Sequence, residues 1–340
     1  MKLACPLVSL VWALGCSSVG PCDETEELCL VTTESTEAFL SVRAPADDDV
    51  WLVGSEAEPE VSGPAALHWN GASWDRLDLS AFAGHEIWWG HPAAEVTTLV
   101  GSGGLILEYD RSSGVTTRVE GPAEEVTFFG VWGSSADDVW SVGGDIGGSL
   151  PGQIWRRTDA GWAPVAVPES VPESTVWFKV DGRSAEDVWF VGSQGQALHW
   201  DGAELLSVSA AGVAQGSSLF TVDAQGDEVL AVGGTAQGYI LHRSSDEWVD
   251  RTPEFASGIN GVCRRGDVTR AVGPQGTVYT YQDESWSYDL EGLTLRDYHA
   301  CDISPSGDVW AVGGQVVSRP LNAGVVAYAG MSSIPSPPSY

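Results

Sequence analysis

The chain has 340 residues, 41 of them Gly and 16 Trp, with 43 % hydrophobic residues and a formal net charge of −31 at pH 7. Abundant Gly and Trp with few Lys exclude a helical bundle and point to a turn-rich β protein, while the apolar fraction supplies a core and excludes general disorder. The acidity excludes nucleic acid as a partner, because such binding needs Lys and Arg to displace counterions from phosphates; it suits a protein kept soluble outside the cell.

Taken in chain order, Met1-Lys2 is a minimal basic start to the apolar stretch 3–14, which ends at Gly15-Cys16. That stretch is too short to span a bilayer and reads as the core of a signal peptide covering residues 1–15. Ala13-Leu14-Gly15-Cys16 resembles the lipobox of bacterial lipoproteins, with Ala13 where Leu or Val is preferred. The resemblance implies that Cys16 is the acylated N-terminus, that residues 16–27 are a linker from the lipid anchor, and that Ser17 directs retention in the outer membrane. An ordinary signal peptide cut slightly later, leaving a secreted protein, is the alternative. Membrane contact is expected through the lipid anchor only.

From residue 39 onward an acidic residue, an apolar run and a Gly recur as one unit. Clear copies are Asp49-Val50-Trp51-Leu52-Val53-Gly54, Asp138-Val139-Trp140-Ser141-Val142-Gly143, Asp187-Val188-Trp189-Phe190-Val191-Gly192 and Asp308-Val309-Trp310-Ala311-Val312-Gly313. Weaker copies begin at Glu95, Glu228 and Asp267 and close on Gly101, Gly233 and Gly273. The closing glycines are 47, 42, 49, 41, 40 and 40 residues apart, the period of four-stranded propeller blades. Each unit predicts an inner strand such as Phe128-Phe129-Gly130-Val131, then the acid-led strand buried on both faces, a third strand such as Ala197-Leu198-His199-Trp200, and an outer strand carrying Trp74, Trp162, Trp248 or Trp286. The fold class expected is all-β, a seven-bladed β-propeller spanning residues 28–330. The seven leading acids are expected to cap backbone N–H groups in the turns, since repetition in every blade argues against a site.

The seventh unit lacks an outer strand and ends in a Pro-rich stretch, 331–340, expected to be a flexible tail. Residues 28–33, Leu-Cys-Leu-Val-Thr-Thr, form a strand without a blade. Pairing the two closes the ring with an N-terminal strand and removes exposed edges.

The inner strands align Val42, Trp88, Val131, Val180, Val222, Val262 and Ala300 as an apolar position. The next position reads Arg43, Trp89, Trp132, Asp181, Asp223, Cys263 and Cys301, of which Arg43, Trp89, Trp132, Asp181 and Asp223 are candidate channel-lining residues. Cys263 and Cys301, in neighbouring blades, are candidates for a disulfide after export, and Cys22 and Cys29 for a local one. His68, His199 and His242 hold one repeat position in different blades and read as strand histidines rather than metal ligands. His85 and His91 flank the inner strand of blade 2 without a third ligand. Long insertions follow the second strand in blades 1, 3 and 7, at 55–65, 145–152 and 315–324, and share one face of the disc; functional residues concentrate in such loops.

Val131-Trp132-Gly133-Ser134-Ser135-Ala136-Asp137-Asp138-Val139-Trp140 and His68-Trp69-Asn70-Gly71-Ala72-Ser73-Trp74 resemble the repeats of bacterial secreted propellers, particularly myxobacterial-type lipoproteins. Thr158-Asp159-Ala160-Gly161-Trp162 is distantly similar to the Asp-box of sialidase-type propellers, but no F-R-I-P start accompanies it. The quinoprotein A-x-D-x-x-x-G-K-E repeat is absent too, and Lys179 is the only Lys beyond the signal peptide. No catalytic constellation, cofactor or metal site is expected. The function expected is non-enzymatic binding of a protein or glycan on the loop-bearing face. The alternatives are a hydrolase or lyase acting on extracellular polysaccharide and a structural lipoprotein of the cell envelope.

Overall fold

The computed structural model describes residues 25–56, 62–121, 124–148, 150–208, 216–289, 292–330, 334 and 336–337. Seven four-stranded antiparallel sheets make the blades of a propeller. Six are continuous in sequence, each running outward from an inner strand: Phe39–Ala46, Ile87–Pro92, Thr127–Ser135, Trp177–Ser184, Leu219–Gln225 and Gly261–Arg265 open blades 1 to 6. Blade 7 combines Asp297–Ile303, Val309–Gln315 and Asn322–Gly330 with the N-terminal strand Thr25–Ser35, which lies antiparallel to Asn322–Gly330 as its outer strand. The ring is therefore closed by the first strand of the chain, as its isolated apolar run predicts. Val31 on this strand is 2 % exposed, Ile334 packs into the same core, and the Ser336 hydroxyl donates to the Val31 carbonyl.

The repeated motif follows from packing. Its apolar positions face blades on both sides, so Trp51, Trp140 and Trp310 are all but fully buried. Its closing Gly sits where the carbonyl preceding the inner strand crosses. A Cβ would lie 1.9 Å from Ala38 O at Gly54, 1.9 Å from Glu86 O at Gly101 and 1.8 Å from Asp297 O at Gly313. Only a residue without a side chain allows that approach.

The leading acids act differently from the expectation. Asp49 accepts from Trp51 Nε1 at 2.8 Å, His68 Nε2 at 2.8 Å and, from blade 2, both Arg111 terminal nitrogens at 2.9 Å. Asp187 repeats this with Trp189 and His199, Asp138 accepts from Arg156, and Asp308 from the Tyr328 hydroxyl. Glu228 accepts from His242 Nδ1, whose Nε2 accepts from Trp286 of blade 6. These five carboxylates thus tie the second strand to the third through side chains. The histidines of this position are structural, and burial, against the pull of Glu228, keeps His242 below the usual imidazole range.

Candidate functional site: central channel and loop-bearing face

Strand register sorts the channel into levels. The residue paired with the third position before each closing Gly is Arg43, His91, Trp132, Asp181, Asp223, Cys263 and Asp302 in blades 1 to 7. The sequence alignment is corrected in two blades. Trp89 pairs two positions further on, with Val100, and Cys301 one position on, with Ala311, so His91 and Asp302 take their places.

In every blade but the sixth, one further residue bulges out of the ladder next to the closing Gly. These are Leu40, Trp88, Phe129, Phe178, Phe220 and His299. Their rings touch in series, with centroids 5.6 Å apart for His299–Trp88, 5.1 Å for Trp88–Phe129, 5.5 Å for Phe129–Phe178 and 5.4 Å for Phe178–Phe220. The bulges re-aim bulky side chains into the axis and build an apolar collar at the end of the channel nearer the long loops. Burial, with the neighbouring Lys179 charge, holds His299 to about 4.

Beyond the collar, toward the turn-bearing face, a small cavity is lined by Arg43, Trp89, Trp132, Lys179, Asp181 and Asp223, together with Cys263, Cys301, Asp302 and the valines between them. Arg43 lies 3.6 Å from Asp302, and its side chain is 34 % exposed. Burial opposes the Arg43 charge, but Asp302, Asp181 and Asp223 together raise its pKa. Burial raises the Asp181 carboxyl well above the usual carboxylate range, with the Asp223 charge adding to it. Asp223 is raised by burial as well, against its bonds to Arg264. His91 is lowered to about 4 by burial and by Arg43. The Cys263 and Cys301 sulfurs are joined, 2.11 Å apart, bridging the inner strands of blades 6 and 7. Cys29 is disulfide-bonded also, whereas Cys16 and Cys22 lie outside the described residues.

The opposite face carries the connections after each second and each outer strand. A cleft opens there where blades 7, 1 and 2 meet, lined by Ser55 and Glu56 of one insertion, Arg319 to Ala323 of another, and Gly84, His85 and Glu86 between blades 1 and 2. The insertions of blades 1 and 7 are recognisable in the sequence as neighbours, whereas nothing in the repeat pattern marks Glu86. Glu56 accepts from the Gly63 amide at 2.7 Å and the Gly84 amide at 2.6 Å; Glu86 pairs with Arg319 and keeps one buried oxygen without a hydrogen bond. Next to the cleft the face turns apolar. Phe255, Leu293, Leu295 and Val317 occupy successive connections from blade 5 to blade 7 and are 86, 47, 89 and 82 % exposed. Phe255 also holds a left-handed φ of 61°, a strained conformation for a residue with a side chain. Among the described residues no helix is long and apolar enough to cross a membrane, and no group of three His, Cys, Asp or Glu is placed to hold a metal ion.

No protein-family model matches the sequence, and no curated protein matches it. Solved structures do match. A streptogramin B lyase superposes with a TM-score of 0.69 at 11 % identity, over 89 % of this chain and 97 % of that one. YCF48 bound to a D1 peptide gives 0.64 at 13 % identity, over 92 % and 99 %. YCF48 from Cyanidioschyzon merolae gives 0.66 at 10 % identity, over 90 % and 99 %. At such identities the likeness establishes the propeller fold and nothing of the ligand.

Proposed function

We propose that this propeller is a non-enzymatic binding module that receives a protein partner on its loop-bearing face. The observation that carries the reading is the arc of Phe255, Leu293, Leu295 and Val317, exposed in succession on one face. Of the other large exposed hydrophobic side chains, Val115 lies on the turn-bearing face, Leu206 and Val249 lie on outer strands, and Ile146 shares the loop-bearing face at blade 3. Large exposed apolar side chains gathered on one face mark interaction surfaces, and Arg319, exposed at the adjoining cleft, supplies a charged neighbour. Propellers commonly serve as binding platforms, and the fold likeness includes a propeller whose structure holds a peptide.

Export and a lipid anchor at Cys16 belong to the same proposal. The Cys263–Cys301 disulfide favours an oxidising compartment, and an outer-membrane lipoprotein would hold the disc close to envelope partners. Against the runner-up, an enzyme acting on polysaccharide, the carboxylates of the cleft are engaged: Glu56 by two amides and Glu86 by Arg319.

The test is recovery of partners from the native envelope by the tagged mature protein, run beside Phe255→Ser/Val317→Asp and Val115→Asp variants and a glycan array. The reading expects one protein recovered by the wild type and by Val115→Asp, and recovery at least tenfold lower with the loop-face double variant. Glycan binding that survives the loop-face substitutions, or equal recovery by all three proteins, overturns it.

A further inference from the structure

One acid of the loop-bearing cleft differs from its neighbours in how its oxygens are used. Glu56 accepts from the Gly63 amide on one oxygen and from the Gly84 amide on the other. Glu37, which follows the lining residues Ser35 and Thr36, accepts from both hydroxyls on one oxygen and from Arg76 on the other. Glu86 is 5 % exposed; Arg319 pairs with its Oε1, while its Oε2 is buried with no hydrogen bond. Among the described residues it is the only carboxylate oxygen in that state. A buried acceptor without a donor weakens a fold, and native proteins keep few of them.

The backbone holds Glu86 firmly in place. Its amide donates to Ser102 Oγ at 2.9 Å, its carbonyl accepts from the Ser102 amide at 3.0 Å, and Ile87 after it is fully buried. The cavity in front of it is open to solvent and measures about 340 Å³, within the range of sites that take small ligand groups. Oε2 is itself shut off from solvent, and the cation lying against this carboxylate, Arg319, has a side chain 71 % exposed. Outward rotation of Arg319 uncovers the acid.

A carboxylate fixed in this way, with one oxygen already matched by a guanidinium, is suited to a second cation. We propose that the cleft is the anchor pocket for one basic side chain, Lys or Arg, of the protein partner, with Glu86 as its counter-ion. The proposal rests on the reading that a protein docks on the loop-bearing face. Charge favours a cationic guest: the chain carries −31, and the loop-face connections of blades 1 to 4 hold acids but no Lys or Arg. The cleft's own cations are Arg319, at Glu86, and Arg296, just before the last inner strand. Exposed Val317 and Leu295 stand close to these arginines in sequence, so apolar residues are expected to flank the partner's basic side chain. A metal ion is a poorer guest. Glu56 is bonded on both oxygens, and among the described residues no group of three His, Cys, Asp or Glu is placed to hold one.

The experiment titrates the folded protein calorimetrically with three N-acetylated, C-amidated tripeptides: Leu-Arg-Leu, its citrulline isostere, and Leu-Glu-Leu. Citrulline keeps the length and the N–H donors of arginine but not its charge. The arginine peptide should bind at least tenfold more tightly than the citrulline peptide, and the glutamate peptide should not bind. Glu86→Gln should erase the preference for arginine. Arg319→Ala, which removes the competing guanidinium at an exposed position, should tighten the arginine peptide at least threefold; unchanged or weaker binding would show that Arg319 does not compete for Glu86. Equal affinity for arginine and citrulline, preference for the glutamate peptide, or no binding at millimolar concentration overturns the proposal without recourse to a variant. A preference for arginine that survives Glu86→Gln overturns the role given to Glu86. Recovery of a partner that depends on Phe255 and Val317, beside equal arginine and citrulline affinities, refutes the pocket and leaves the docking face standing. Arginine selectivity with no partner recovered supports the pocket and refutes the docking face.

Discussion

At the scale of the residue, the acids that open each repeat show how one side chain joins strands and blades. Asp49 is pulled two ways. Burial pushes its carboxyl up, but bonds from His68, Arg111 and Trp51 outweigh this and bring it down to about 2. A folded-state pKa below the unfolded value of about 3.8 means that the contribution is complete above pH 4 and disappears as pH falls through about 2. At roughly 1.4 kcal/mol per unit, and with the carboxylate 19 % exposed, that contribution is about 2 kcal/mol. Urea unfolding of the wild type and of Asp49→Asn should therefore diverge as pH rises from 2 to 4.5; parallel curves would show that the carboxylate is not held in this way. The acid repeat was legible in the sequence, because it recurs seven times. Its partners were legible only in part: His68, His199 and His242 hold one repeat position in the sequence, but that they bond to the acids, and that Arg156 and Tyr328 stand at the same position, emerges only once the third strand is set in register.

At the scale of the element, closure and register decide what the channel contains. The closing strand was readable as an apolar run with no blade of its own. Without Thr25–Ser35, the strand Asn322–Gly330 becomes an open edge and Val31, Leu28 and Leu30 lose their packing. Burial of side chains of this size stabilises by about 1.5–3 kcal/mol each when complete. Deleting residues 25–35 should cost about 4 kcal/mol or more in urea unfolding and increase self-association; unchanged stability would mean that the ring does not depend on this strand. The Cys263–Cys301 bridge spans 38 residues across the last two inner strands. A loop of that length stabilises by roughly 3–4 kcal/mol through the unfolded chain, so a Cys263→Ser/Cys301→Ser variant should unfold at correspondingly lower denaturant, and one that unfolds with the wild type would refute the estimate. The collar could not be seen beforehand. A bulge inserts a residue without changing the apolar pattern, so Phe129, Phe178 and Phe220 read as ordinary strand residues. Lys179 did leave a signal, as the only lysine beyond the signal peptide, but not its contact with Trp89, which reaches it from a strand about ninety residues earlier.

At the scale of the whole molecule, the two faces of the disc differ in kind. The turn-bearing face leads to a charged well of fixed chemistry, while the loop-bearing face carries the insertions, the cleft between blades 7, 1 and 2, and the exposed arc from Phe255 to Val317. Antiparallel blades force this division, since every second-to-third connection emerges on the same side. The collar then separates the two faces along the axis. The central claim is that recognition belongs to the loop-bearing face. Its most direct test places a photo-crosslinking residue at Phe255, Val317 or Val115 of the protein in its native cells and compares the adducts after irradiation. One discrete protein adduct is expected from positions 255 and 317 and none from 115; an adduct from position 115 alone, or none from any position, would refute recognition by the loop-bearing face.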